Sequence, residues 1–180
     1  MSKELLNAII ELETEMYQSL NTDPPITTEK LPPFRMMRWM TYSVLSGATL
    51  SAWFRDLCSA KASGRNVLTE KYALIDGKIE HFHESPLIPL IVDAEVAWMD
   101  QLHERYPHVI KREPKNAKFF HEYALCELES WSDDALEAYY ADVKAALAAG
   151  HNLCERRYDN LHRKLERPSL AEMEADAVRL

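Results

Sequence analysis

Glycine is scarce in this chain, with 4 in 180 residues. That shortage, beside an ample supply of Ala, Leu, Glu and Met, argues against sheet and for helix. No apolar run approaches the roughly 20 residues that a membrane span needs. Cysteine is sparse and odd in number: Cys58, Cys126 and Cys154, with no Cys-x-x-Cys. Free thiols in a reducing cytoplasm are the plain reading. Positive charge is in deficit, 21 Lys and Arg against 29 Asp and Glu, for a formal net charge of −8 and a pI near 5.4. That balance argues against general nucleic-acid or anionic-membrane binding. Gly-x-Ser-x-Gly, a Walker loop and a dinucleotide Gly-x-Gly-x-x-Gly are all missing, so no nucleophilic signature appears and no pattern names a cofactor. The polar opening Met1-Ser2-Lys3-Glu4 leads into an amphipathic stretch, as expected without a signal peptide. Hydrophobic residues still make up 47% of the chain, enough for a core.

What is present is written twice. Slid by 86 residues, Phe34–Asp76 falls on Phe120–His162 without a gap. Identities include Ser46/Ser132, Leu50/Leu136, Asp56/Asp142, Gly64/Gly150, Asn66/Asn152 and Tyr72/Tyr158. A shorter echo places Ile9–Leu20 on Ile91–Leu102 at an offset of 82. A fixed internal period marks a duplicated unit. The expected fold is all-α, a helical bundle built from two pseudo-symmetric four-helix repeats in one domain. Its first copy is 1–76, its linker 77–84, its second copy 85–165, and 166–180 a C-terminal helix or loose tail.

Local signals place the helices. The first is expected over Lys3–Leu20, followed by a Pro-rich loop over Asn21–Pro33. Helices then follow at Phe34–Leu45, Ala48–Ser63 and Asn66–Ile75, the third closed by Gly64 as a left-handed cap. In the second copy Ser85-Pro86 opens a helix to Arg105. After a loop over Tyr106–Asn116, helices are expected at Ala117–Trp131, Asp133–Ala149 and Leu153–Leu165. Asn152-x-x-Glu155 reads as a capping box, and Ser169-x-x-Glu172 caps a final helix. The repeated Gly-x-Asn is first of all a tight helix–helix corner.

Helical periodicity turns several charges inward. Glu13 lies in the middle of the stripe formed by Leu6, Ile9, Leu12, Met16 and Leu20, and Glu95 holds the equivalent place in the later copy. Arg38, Lys71, Glu127 and Arg157 also share faces with apolar residues. Buried charges must be paired or bound. Arg38 and Glu127 differ between the copies, which breaks the symmetry where an asymmetric ligand would need it broken. Three readings follow. A pocket between the copies, lined by Glu13, Arg38, Lys71, Glu95, Glu127 and Arg157, binds a small charged or zwitterionic metabolite. Acid–base chemistry by Glu13, Glu95, Tyr72 or Tyr158 is permitted there, because a carboxylate in an apolar setting has a raised pKa. Alternatively the charges form a structural ionic core in a non-catalytic interaction protein. In the third reading Glu13 and Glu95, with His81 and His83 as further candidates, hold a metal. The Glu-x-x-His motif of di-iron bundles is missing, its nearest match being Asp159-x-x-His162. Trp53, Tyr139 and Tyr140 are assigned either to the core or to a homodimer contact.

The string Ile9-Ile10-Glu11-Leu12-Glu13, then Phe34-x-x-Met37-Arg38, then Gly64-Arg65-Asn66-Val67-Leu68-Thr69-Glu70-Lys71-Tyr72-Ala73, resembles a bacterial family catalogued as domain of unknown function 4125. Glu95-x-x-Trp98-Met99, Glu127-Leu128 and Gly150-His151-Asn152-Leu153 extend the resemblance over most of the chain. It implies a bacterial or archaeal cytoplasmic protein and brings no activity with it. The linker histidines His81 and His83 depart from the pattern.

Overall fold

A computed structural model describes residues 3–111 and 114–179. Among them are nine α-helices and no strand: α1 (Lys3–Gln18), α2 (Leu31–Tyr42), α3 (Gly47–Ala62), α4 (Val67–Ile75), α5 (Leu87–Arg105), α6 (Pro114–Leu128), α7 (Asp133–Ala148), α8 (Leu153–Lys164) and α9 (Leu170–Val178). The all-α bundle expected from the sequence is therefore present. None of these helices is long and apolar enough to cross a membrane.

The helix corners follow local chemistry. Gly64 (φ 72°) and Gly150 (φ 67°) adopt the left-handed conformation that ends α3 and α7. Each following N–H then closes a wider turn, Arg65 to Ala60 and His151 to Ala146, both at 2.8 Å. Asn66 and Asn152 cap α4 and α8 through Oδ1 while Nδ2 reaches back to the carbonyls of Met16 and Trp98, at 2.8 and 2.9 Å. One side chain thus caps a helix and fastens it to α1 or α5; a cap alone contributes about 1 kcal/mol.

Four local expectations need correction. The helix expected from Phe34 begins at Leu31, after a 3-10 turn at Thr28–Lys30. Pro32 and Pro33 belong to its first turn, where a missing N–H costs nothing. The helix expected from Ala117 begins at Pro114 for the same reason, and residues 112 and 113 of the expected loop lie outside the described residues. Asn152 accepts from the Glu155 N–H, but the Glu155 carboxylate goes to Arg105 Nη1 at 2.5 Å and to Tyr106. A charge-assisted bond outcompetes the second arm of the box. The C-terminal segment is docked rather than loose. Its box at Ser169 and Glu172 is complete, Leu170 is fully buried, and Glu174 accepts from the His108 and Val109 N–H groups.

Packing divides into two clusters. Helix α1 packs on α2, α3 and α4, and α5 packs on α6, α7 and α8. The clusters meet along α3–α7 and through α4–α6 and α2–α8. At the central crossing Asp142 accepts from the Ser46 N–H and Asp56 from the Ser132 N–H, both at 2.9 Å. Trp53 stacks on Trp131 there, with ring centroids 4.5 Å apart. Trp53 and Tyr139 are core residues, buried away from any second copy, and Tyr140 is half-buried.

Candidate functional site

All six inward charges find partners. On α1, Glu13 is fully buried and takes a two-pronged grip from Arg38, Nε at 2.7 Å and Nη2 at 2.9 Å. Tyr42 donates to it at 2.5 Å and Trp53 Nε1 at 3.3 Å. Arg38 Nη2 also reaches Glu127 at 2.6 Å, and Lys71 Nζ completes the chain to Glu127 at 3.4 Å. Lys71, 1% exposed, donates as well to Tyr123 at 2.7 Å and lies over that ring. The second network is smaller. Arg157 grips both oxygens of Glu95, one at 2.8 Å, and sends Nε to the Thr41 carbonyl at 3.2 Å. Tyr139 and Cys154 donate to Glu95 at 2.7 and 3.2 Å.

Burial and the neighbouring charges pull the titratable groups in opposite directions. Burial pushes Glu127 up, but the Arg38 and Lys71 charges outweigh it and hold the carboxyl at about 2. Glu95 is likewise lowered, burial being overcome by the Arg157 charge and its hydrogen bonds. The raised carboxylate expected of an apolar setting is therefore corrected for Glu95, because the guanidinium lies against it. Burial lifts the phenols instead: Tyr72 and Tyr123 to about 12, and Tyr158 upward with the help of Cys154. At neutral pH these are proton-bearing donors.

Beside the networks lies a cavity of about 620 Å³. Its walls are the inner faces of α2, α5, α6 and α8, with Tyr17, Tyr72 and Tyr139 added from neighbouring helices, and it is partly open to solvent. On α6 the lining residues Phe120, Tyr123, Ala124, Glu127 and Leu128 follow helical spacing along one face. The size suits a ligand of ordinary metabolite dimensions.

Of the sequence-derived residues, Arg38, Glu95, Glu127, Arg157, Tyr72 and Tyr158 line this cavity. Glu13 and Lys71 stand behind the wall, reaching it through Arg38 and Glu127. Glu13 and Glu95 are not brought together; each is taken by its own arginine. The linker histidines lie elsewhere. His81 pairs with buried Glu129, and His83 Nε2 is 3.1 Å from Asp133, so the linker fastens the α6–α7 turn and lines no part of the cavity. Among the described residues no three His, Cys, Asp or Glu side chains converge as a metal site. Asp159 and His162 accept from the Leu170 N–H and lie against the Pro168 carbonyl, respectively.

Sequence reasoning missed Tyr123 and Lys30 as wall residues. Tyr123 was detectable, one turn from Glu127 on the same face. Lys30 was hidden within a stretch read as loop. Trp131 is the third new member: its Nε1 is the one buried side-chain donor without a partner among the described residues, a cost of about 1–3 kcal/mol.

No curated protein matches the chain, and no solved structure does. A family model matches residues 3–175, and the chain belongs to that family, described as Protein of unknown function (DUF4125).

Proposed function

We propose that this protein binds a small polar or charged metabolite in the cavity between the two helix clusters. The observation that carries the reading is the void itself: about 620 Å³, walled by two guanidinium groups, two carboxylates and several phenols. A concave, largely apolar pocket of this size with a few convergent polar groups is the ordinary form of a small-molecule site. We also infer that the clusters arose by duplication. The reciprocal Ser46–Asp142 and Ser132–Asp56 bonds and the matched Gly-x-Asn corners support that origin. Acid–base chemistry would fall to the phenols of Tyr72 and Tyr158, because Glu95 is pinned as a carboxylate.

A second reading, the structural ionic core of an interaction protein, is favoured by the complete mutual pairing of the six charges. Ala124→Phe separates the two, because Ala124 lines the cavity and a larger ring fills it. Melting is followed against a metabolite library. A ligand at about a hundredfold excess over Kd contributes about 2.7 kcal/mol. That raises Tm by roughly 5–10 °C for a chain of this size. The expected result is such a rise in the wild type and none in the variant. A library that moves neither protein, with a variant more stable than wild type, hands the case to the structural core.

A further inference from the structure

The hydrogen-bond ledger of the cavity is unbalanced. Its carboxylates are already engaged: Glu95 takes Arg157 on both oxygens and Tyr139 and Cys154 besides, and Glu127 is ion-paired to Arg38 on one oxygen and Lys71 on the other. Its donors are not. The hydroxyls of Tyr17 and Tyr158 bond to no described residue, and Arg38 commits Nε and Nη2 but not Nη1. A guanidinium can donate and cannot accept, whereas a phenol can do either. The charges lean the same way. Lys30, Arg38 and Arg157 face only Glu95 and Glu127, and Lys71 and Glu13 behind the wall cancel. Lys30, exposed at the rim, has no ion-pair partner among the described residues. This local cationic excess stands out in a chain whose net charge is −8.

The remaining wall is apolar and flat. Tyr17 stacks on Phe34 with centroids 4.1 Å apart and planes 3° apart, and both rings line the cavity. Trp131 and Tyr139 form a second aromatic corner, 5.4 Å between centroids. Such surfaces take a planar hydrophobic body.

We infer that the natural ligand is a flat, largely apolar monoanion, with one carboxylate or equivalent acceptor group on an aromatic-sized body, rather than a zwitterion or a cation. The anion meets the unspent donors and Lys30, and the body lies between the ring walls. An amine would instead meet a guanidinium it cannot use and carboxylates already ion-paired to arginine and lysine. This rests on the cavity being a binding site, and the test separates the two claims.

Three probes of similar body are titrated calorimetrically: 2-naphthoate, protonated 2-naphthylmethylamine and zwitterionic tryptophan. The expected result is naphthoate binding about tenfold or more tighter than either alternative. Tyr158→Phe and Lys30→Gln should each weaken naphthoate by roughly threefold or more, without weakening the amine. Ala124→Phe should abolish naphthoate binding with the helical circular-dichroism spectrum retained. Equal or tighter binding of the amine or of tryptophan overturns the ligand class and leaves the cavity standing. Naphthoate binding that survives Ala124→Phe lies outside the cavity and also overturns it. If no probe binds, the ligand class falls, and xenon detected by NMR decides the rest. Xenon uptake lost in Ala124→Phe keeps the cavity as a site, and no uptake removes both claims.

Discussion

Glu13 on α1 and Glu95 on α5 lie in stretches whose sequences match at an offset of 82, and both are buried. Glu13 is held from α2 by Arg38, and Glu95 from α8 by Arg157. At the position 86 residues after Arg38 stands Ala124, and 86 residues before Arg157 stands Lys71. A methyl group cannot reach Glu95, so Arg157 does. Arg38 already holds Glu13, so Lys71 turns to Tyr123 and Glu127. The consequence is spatial as well as electrostatic. One cluster carries a guanidinium where the other carries a methyl, and that methyl lines the cavity. The void is thus tied to an exchange of side chains on similar helices.

The sharpest way to break this comparison is to remove the arginines one at a time. Arg38→Met strands Glu13 and leaves Glu127 with Lys71 alone, whereas Arg157→Met strands only Glu95. Losing one partner of a buried pair costs about 3–5 kcal/mol. Urea denaturation should place Arg157→Met in that range and Arg38→Met at its upper end or beyond. Equal losses would show that Glu127 draws nothing from Arg38.

Acid distinguishes the networks next. The folded value of Glu127, about 2, lies below its ordinary 4.5. A lowered carboxyl stabilises above its unfolded pKa and loses that contribution as pH falls through the folded one. Stability should therefore drop between about pH 5 and 2, by about 3 kcal/mol from Glu127. Glu95, also lowered, adds in the same direction. Urea midpoints measured from neutral pH downward should fall more steeply for wild type than for Glu127→Gln; parallel curves would refute the assignment.

The smallest effect concerns the paired caps at the α3–α7 crossing. Asp142 accepts from the Ser46 N–H and also from Thr49 Oγ1 at 2.7 Å, while Asp56 accepts from the Ser132 N–H. Asp142→Ala should cost about 1–2 kcal/mol and Asp56→Ala about half that. Thermal melts of the two variants check the order, and a reversed order contradicts the asymmetry.

Much of the site was legible because burial of a charge at helical spacing is a one-dimensional signal. Glu13, centred among Leu6, Ile9 and Met16, had to face inward wherever α1 packed. Its partner was not legible, since Arg38, Lys71 and Arg157 all faced inward and any could have served. Lys30 escaped notice because Pro32-Pro33 read as loop, although proline is at home in a first helical turn. The linker histidines looked like candidate ligands because spacing alone shows nothing of Glu129 and Asp133.

By itself the sequence determined the helices, the Gly64-x-Asn66 and Gly150-x-Asn152 corners and the inward set of charges. Those depend on hydrogen bonds and side-chain periodicity spanning a few residues, which local chemistry dictates. Only the tertiary structure decided that Arg38 reaches Glu127, 89 residues away, that Arg157 reaches the Thr41 carbonyl, 116 away, and that Ala124 faces a void. Such pairings depend on how α2, α5, α6 and α8 are set against one another, and that is a property of packing rather than of any one segment.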